Sequence, residues 1–514
     1  MSTESSEPKK EDSEDGSTSL VIPSNESLIN EDQFLTDADK QFIIRCPRNH
    51  AGMASLSLYL YGDLFHPRFV ADQNRWIFVK DGKMHVLDTA THSLMKKLMI
   101  TLSVYIKETA TDIEQNGGDA QLIRQLRSLA SKSGNMPTVK NHLEALKACD
   151  GITIESTDLN KHPDLLGTKD GVVNLERGEL LDEYDPALLI THSTGLPFDP
   201  EKAILYMDKI EDHILEFSNG REDLAHYYQL LYGYGITGRT DEQLMWCIIG
   251  PTGSGKSTTD DARIKAMGDF ADAITSDILL KNYSGSKDKF EKETLTGKRT
   301  VIAEEPTEGR EWSKEEIKSL VGGSSQKVRA PYGQFKTVPI QAKIFLSSNT
   351  LPNLNKNDPA IKRRLRFIPA DYSFHQRGTA NNMKALMLTQ EYLEGFQLYM
   401  ILGAVRYYKE VRDKGLKLKS LEPPCIKNYT EKYYEQEDRL KVFLDENYVV
   451  DPAGQVLFKH VYSDWKYWHV ETEGHRSCPT KKSFSKMLRE RFGDEILRKS
   501  TNGEMYLSGF KDKG

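Results

Sequence analysis

With 514 residues, 38% of them hydrophobic and 28% charged, the chain has room for roughly two to four globular domains and ample core. No uninterrupted apolar run is long enough to span a bilayer, and the start is polar and acidic, so neither a membrane anchor nor a secretion signal is expected. The five cysteines, Cys46, Cys149, Cys247, Cys425 and Cys478, lack C-x-x-C spacing, which argues against a zinc site or a disulfide framework and fits a reducing intracellular compartment.

The formal net charge of −7 is uneven, because residues 1–40 hold eleven Asp or Glu against three Lys and leave the rest of the chain close to +1. That segment is rich in Ser, Glu and Asp, cannot bury enough apolar surface to fold, and is expected to be a disordered acidic tail. An acidic arm that competes with nucleic acid or docks a partner is the second reading. Residues 41–200 read as a mixed helical and strand domain without a catalytic constellation. Leu94 to Glu114 and Ala120 to Ser133 have helical periodicity, and Gly171 to Leu181 reads as two short strands joined at Glu176-Arg177-Gly178. From 201 to 232 the pattern is helical again.

The apolar run Leu244-Met245-Trp246-Cys247-Ile248-Ile249 then feeds Gly250-Pro251-Thr252-Gly253-Ser254-Gly255-Lys256-Ser257, followed by Thr258. This is a complete G-x-x-x-x-G-K-[ST] loop, a strand feeding a phosphate cradle. Its glycines let backbone N–H groups turn toward a triphosphate, Lys256 can reach the β and γ phosphates, and the Ser257 hydroxyl can ligate Mg²⁺. Three further apolar runs end in polar residues, where an open parallel sheet places its active edge. The first is Thr300-Val301-Ile302-Ala303 followed by Glu304-Glu305-Pro306, with one carboxylate available to hold Mg²⁺ and the other to polarise the attacking water. Neighbouring side chains on a regular strand face opposite ways, so both can serve only where the strand ends, and Pro306 favours that ending. The second run, Ala342 to Ser348, delivers Asn349, which can hydrogen-bond a γ-phosphate or the lytic water.

Between them, Gln326 to Val338 carries Pro331 and Gly333 at a turn between two extended arms, with Lys327, Arg329 and Lys336 for phosphates and Tyr332 or Phe335 for stacking. An ordinary surface hairpin is the alternative. The third run, Asp358 to Ile368, reads as a basic helix end entering a buried strand, from which an arginine can reach a γ-phosphate held by a neighbouring subunit. The C-terminal segment reads as helices at Arg439 to Glu446, Lys459 to Trp468 and Lys481 to Phe492, then a two-stranded wing around Asn502-Gly503. That order resembles a winged helix, in which Lys481, Lys482, Lys486 and Arg489 can contact a duplex backbone. A domain that only packs on the ring or binds another protein is the competing reading.

Taken together, these residues resemble the superfamily III helicases of the primase-associated type carried by phages, plasmids and large DNA viruses, from about residue 40 to the C-terminus. Leu231 to Gly238 and Asp170 to Leu175 share in the resemblance. Gly250 to Ser257 resembles the family's Walker A motif, Glu304 and Glu305 its Walker B, Lys318 to Lys336 the segment with its DNA-gripping pore hairpin, Asn349 its sensor and Arg364 its arginine finger. The resemblance implies an α/β fold with an AAA+-like P-loop ATPase core over residues 201–429, behind the mainly helical domain at 41–200 and ahead of the winged-helix-like domain at 430–514. It further implies a ring, usually hexameric, that translocates on DNA with ATP and Mg²⁺ to replicate a viral or mobile genome. A separate primase or polymerase is an implied partner, and the cytoplasm or a viral replication compartment the implied location.

Two features depart from the family. The helix after the loop, Thr258 to Met267, is more polar than expected, and Arg363 and Arg366 compete with Arg364 for the finger. The region before the ATPase is too short for a polymerising primase domain as well, so no priming activity is expected. A nucleotide-switched initiator or loader and a packaging-type translocase are the alternatives to a helicase.

Overall fold

The computed structural model describes residues 35–89, 91–280, 292–304, 312–323, 325–329, 335–350, 359–374, 380–436, 439–473 and 479–513. The expected acidic tail therefore lies, as far as residue 34, outside the described residues. The chain forms two compact units, Met1–Asp158 and Leu159–Gly514.

In the first unit, Ser93–Gln115 is one long helix that buries Leu94, Leu98, Leu102 and Ile106 along one stripe. The next helix, Ala120–Ser133, begins where the Asp119 side chain accepts the Gln121 N–H. These helices share a core with Trp76 from a four-stranded sheet, ordered Met84–Leu87, Arg75–Lys80, Arg68–Val70 and Thr153–Ile154.

The unit ends at Asp158, earlier than the expected boundary at 200, because residues 159–200 pack with the P-loop body. Leu165–Thr168, Gly171–Asn174 and Glu179–Leu180 form a three-stranded antiparallel sheet, one strand more than the expected hairpin. Leu166, Val173 and Leu175 from this segment are buried in the same core as Trp246 and Phe345. Polar clamps reinforce the join. Arg239 grips Asp164 through two hydrogen bonds of 2.8 Å, and the buried Arg299 guanidinium donates to the carbonyls of His162 at 3.1 Å and Ile236 at 2.9 Å.

The second unit is built on a five-stranded parallel sheet in the order Leu365–Pro369, Met245–Ile249, Lys343–Ser348, Thr300–Ala303, Ala271–Ile274. Its central strands are mostly apolar because both faces are covered. Trp246, Ile248, Ile302, Phe345 and Ile368 face one core, whereas Met245, Cys247, Val301, Ile344 and Phe367 face the other. Across the central pair, the Trp246 and Phe345 rings stack with centroids 5.4 Å apart. Truncating either to Ala would cost about 3–5 kcal/mol.

The C-terminal segment has its own core around Phe443, Trp465, Phe484, Leu488 and Leu507. Helices Arg439–Asn447, Phe458–Glu473 and Lys481–Phe492 accompany a sheet in the order Tyr448–Leu457, Met505–Asp512, Leu497–Lys499. The last two strands pair antiparallel on either side of Asn502-Gly503, where a two-stranded segment was expected, and Tyr448–Leu457 is an additional strand.

Candidate active site

The P-loop strand ends at Ile249, and the loop turns back through Gly253 and Gly255, with φ of 83° and 85°, into the helix Lys256–Met267. Both values lie in the left-handed region, which favours glycine. Gly255 has a second reason to lack a side chain, since a Cβ there would sit 2.6 Å from the Phe374 ring. Phe374 is also tied to the loop through its N–H, which donates to the Gly253 carbonyl at 3.1 Å.

Lys256 is buried at the mouth of this helix. Its ammonium donates to the carbonyls of Gly250 and Pro251 at 2.6 and 3.1 Å, to Ser254 Oγ at 3.0 Å and to Asn349 Oδ1 at 3.2 Å. Two residues singled out 93 positions apart thus meet, because the strand Lys343–Ser348 lies directly beside the P-loop strand with Ser348 opposite Ile249. Glu304 follows Ala303 at the end of the next strand, where Ala303 pairs with Leu346, and is exposed. Ser257 is exposed and Thr258 half-buried on the first turn of the helix. Glu305 and Tyr332 lie outside the described residues.

The loop, with Ser347, Ser348 and Asn349, lines a cavity of about 400 Å³ that His213, Phe374 and Met383 complete. His213 carries no motif and was missed in the sequence. Its Nε2 lies 2.9 Å from Thr259 Oγ1, its ring stacks on Phe374 with centroids 5.6 Å apart, and burial pushes its pKa down to about 4.

The polar helix after the loop is accounted for by what it buries. Asp260 accepts a hydrogen bond from Ser347 Oγ and pairs with Arg263 Nη2 at 3.3 Å, while the Arg263 guanidinium lies 4.0 Å from the centre of the Phe345 ring. Burial raises the Asp260 carboxyl above the usual carboxylate range, and the Arg263 charge and the Ser347 hydrogen bond oppose that rise.

The three candidate finger arginines differ in surroundings. Arg364 is buried and donates to the Ala360 carbonyl at 2.8 Å, Arg366 is buried against Glu422 at 2.6 Å, and Arg363 is exposed. The expected hairpin joins Gln326–Arg329 to Phe335–Val338, with Val328 and Val338 buried and Lys327 exposed. Lys336 pairs with Glu293 at 2.9 Å. Arg329 is placed at the end of its strand by pairing with Phe335. On the helix Lys481–Phe492, Lys482, Lys486 and Arg489 are exposed and line one groove, while the Lys481 ammonium lies 5.5 Å from the centre of the Phe458 ring.

Among the described residues, no helix is long and apolar enough to cross a membrane. Two family models match. One described as "D5 N terminal like" covers residues 58–219 and so crosses the division between the two units. A family of unknown function, DUF5906, covers residues 248–364, from the P-loop strand to Arg364. Among curated proteins, the chain is 23% identical over 445 residues to "Putative helicase L207/L206" of Acanthamoeba polyphaga mimivirus, covering 81% of this chain and 44% of that one. It is 24% identical over 241 residues to "Putative helicase 022R" of Frog virus 3, covering 45% of this chain and 25% of that one. The chain thus spans less than half the length of these relatives. Among solved structures, the apo C-terminal region of NrS-1 aligns over 88% of this chain and 98% of that one, with 10% identity and a TM-score of 0.44. Its matched domain and its helicase-named viral relatives make the chain similar to the D5-like helicases of phages and viruses, the primase-associated group that its motifs resemble.

Proposed function

We propose that the chain is an ATP-driven replicative DNA helicase of a viral, phage or plasmid genome, acting through an AAA+-like P-loop core. The observation that carries this reading is the meeting of Lys256 and Asn349 at 3.2 Å, on a parallel sheet whose next strand leads into Glu304. Lys256 holds together carbonyls of the loop and the Asn349 amide, and an incoming triphosphate would exchange those partners for phosphate oxygens. Asn349 and the strand Leu365–Pro369 flank the P-loop strand on opposite sides. ATP would accordingly lie with its γ-phosphate toward Asn349 and Glu304 and its nucleoside toward Phe374, His213 and Met383. These last three offer flat or apolar surface rather than cations.

Mg²⁺ supplies charge neutralisation to the phosphates when bound, and Ser257 and Glu304 are the described residues that would hold it, with Glu305 as the second carboxylate of the motif. The chain's own groups do the rest: the loop N–H groups and Lys256 bind the phosphates, Asn349 orients the γ-phosphate or the lytic water, and a carboxylate takes up the water's proton.

Assembly into a hexameric ring belongs to the same proposal, with Lys327, Arg329, Tyr332 and Lys336 gripping single-stranded DNA and a separate primase or polymerase as partner. The described surroundings favour the exposed Arg363 over the buried Arg364 as the residue that reaches a neighbour's γ-phosphate. The C-terminal helices and wing have the order of a winged helix, which suits duplex contact.

Steady-state hydrolysis tests the site. Lys256→Ala should lose ATP turnover by at least about 100-fold, and Arg363→Ala should lose turnover while retaining nucleotide. Mixing the two inactive variants should restore part of the activity if the arginine acts across an interface. Unchanged turnover in Lys256→Ala would remove the assignment, and loss in Arg364→Ala but not Arg363→Ala would return the finger to Arg364.

A further inference from the structure

The P-loop helix and the strand leading to Asn349 touch at three levels. Lys256 meets Asn349, Asp260 meets Ser347, and Arg263 covers Phe345. On the helix these residues stand at i, i+4 and i+7, and on the strand at i, i−2 and i−4, so each set shares one face. Over the first step the spacings match, since four helical residues rise about 6 Å and two strand residues about 6.6 Å; over the second, three helical residues rise about 4.5 Å, and the long Arg263 side chain spans the difference to Phe345.

The three levels differ in chemistry. The Lys256 and Asn349 level faces the cavity and is the one a triphosphate would enter. The Asp260 and Arg263 side chains below it are buried. The Asp260 carboxylate joins the two lower levels, since it accepts from Ser347 and pairs with Arg263. Ser347 also lines the cavity, and its hydroxyl donates to the Asp260 carboxylate beneath it.

We propose that Asp260 and Ser347 are a positioning pair that fixes the P-loop helix against the strand of Asn349 and so places the Asn349 amide for the γ-phosphate held by Lys256. The proposal rests on the reading of this cavity as an ATP site. It predicts that breaking the middle contact impairs the step that needs Asn349 and spares contacts to the inner phosphates.

Removing Asp260 would strand the buried Arg263 charge and endanger folding, so the test falls on Ser347 in the full chain. Ser347→Ala should lower kcat about tenfold, with ADP affinity unchanged within about twofold, because a displacement near 1 Å suffices for such losses while ADP does not reach Asn349. Ser347→Thr, which keeps the hydroxyl, should restore kcat. In an Asn349→Ala background, Ser347→Ala should lower kcat by less than about twofold, since the group being positioned is gone. Independent effects that multiply in the double variant, or an equal loss in ADP affinity, would overturn the positioning role and leave a merely structural one. Should the wild-type chain bind ATP yet turn over none, the ATPase reading fails separately. The pair is then judged by the preference for ATP over ADP, which Ser347→Ala and Asn349→Ala must reduce alike; a preference kept in Ser347→Ala overturns it.

Discussion

His213 shows what a single side chain contributes to this site and why it escaped a reading of motifs. Its ring is stacked between Phe217 and Phe374, its Nε2 meets Thr259, and it sits behind the first turn of the P-loop helix. Burial holds its pKa near 4, below the value of about 6.5 for a free imidazole, so the folded chain keeps it neutral. A group with a depressed folded pKa of this kind binds its proton more readily when unfolded. Its contribution is full above about pH 6.5 and is lost as the pH falls toward 4, on the order of 2 kcal/mol by pH 5. His213→Gln, which keeps a partner for Thr259 without the titration, should show a smaller fall in Tm between pH 7 and 5 than the wild type, by a few degrees. Identical slopes would place the titration elsewhere, for example at His85 and His142, whose pKa values burial also lowers to about 4. The loop residues were legible because local chemistry dictates them: Lys then Ser at a helix mouth, after glycines, has few other uses. His213 and Asp260 were not, because their roles come from Phe374, Ser347 and Arg263, which are brought to them by the fold. A signal for Asp260 did exist, in the matched spacing of Lys256 with Asp260 and Asn349 with Ser347.

At the scale of elements, buried periodic segments were read well and irregular ones poorly. Ala120–Ser133 and Lys481–Phe492 have the ends that their sequences imply, since each pairs a capping side chain, Asp119 or Thr480, with an apolar stripe. The strand Tyr448–Leu457 was missed because Pro452 and Gly454 interrupt it, and its pairing with Met505–Asp512 shifts register between Val450 and Gln455. The polar P-loop helix gave no packing from its sequence for the opposite reason: Asp260 and Arg263 look like a solvated pair until Ser347 and Phe345 are placed beside them. On Lys481–Phe492, Phe484 and Leu488 face the core, whereas Lys482, Lys486 and Arg489 face outward at i, i+4 and i+7. Changing these three to Ala should weaken duplex binding and flatten its dependence of log K on log salt by about 2 to 3, roughly one for each phosphate that the variant no longer neutralises. ATP hydrolysis without DNA should be unaltered. Unchanged duplex affinity would assign this face to protein contacts.

For the whole molecule, the order of motifs along the chain was enough to anticipate the parallel sheet, because right-handed crossovers leave few ways to bring Gly250, Glu304 and Asn349 to one edge. The unit boundary was not, because the clamps that bind residues 159–200 to the P-loop body, such as Arg239 on Asp164, join segments whose pairing no local pattern announces. The central claim is that hydrolysis at Lys256 drives the separation of DNA strands. Strand displacement on forked duplexes of both polarities, beside a Lys256→Ala control, tests it most directly. The account predicts ATP- and Mg²⁺-dependent displacement of one polarity, abolished in the control; ATP hydrolysis by the wild type without displacement of either fork would contradict it.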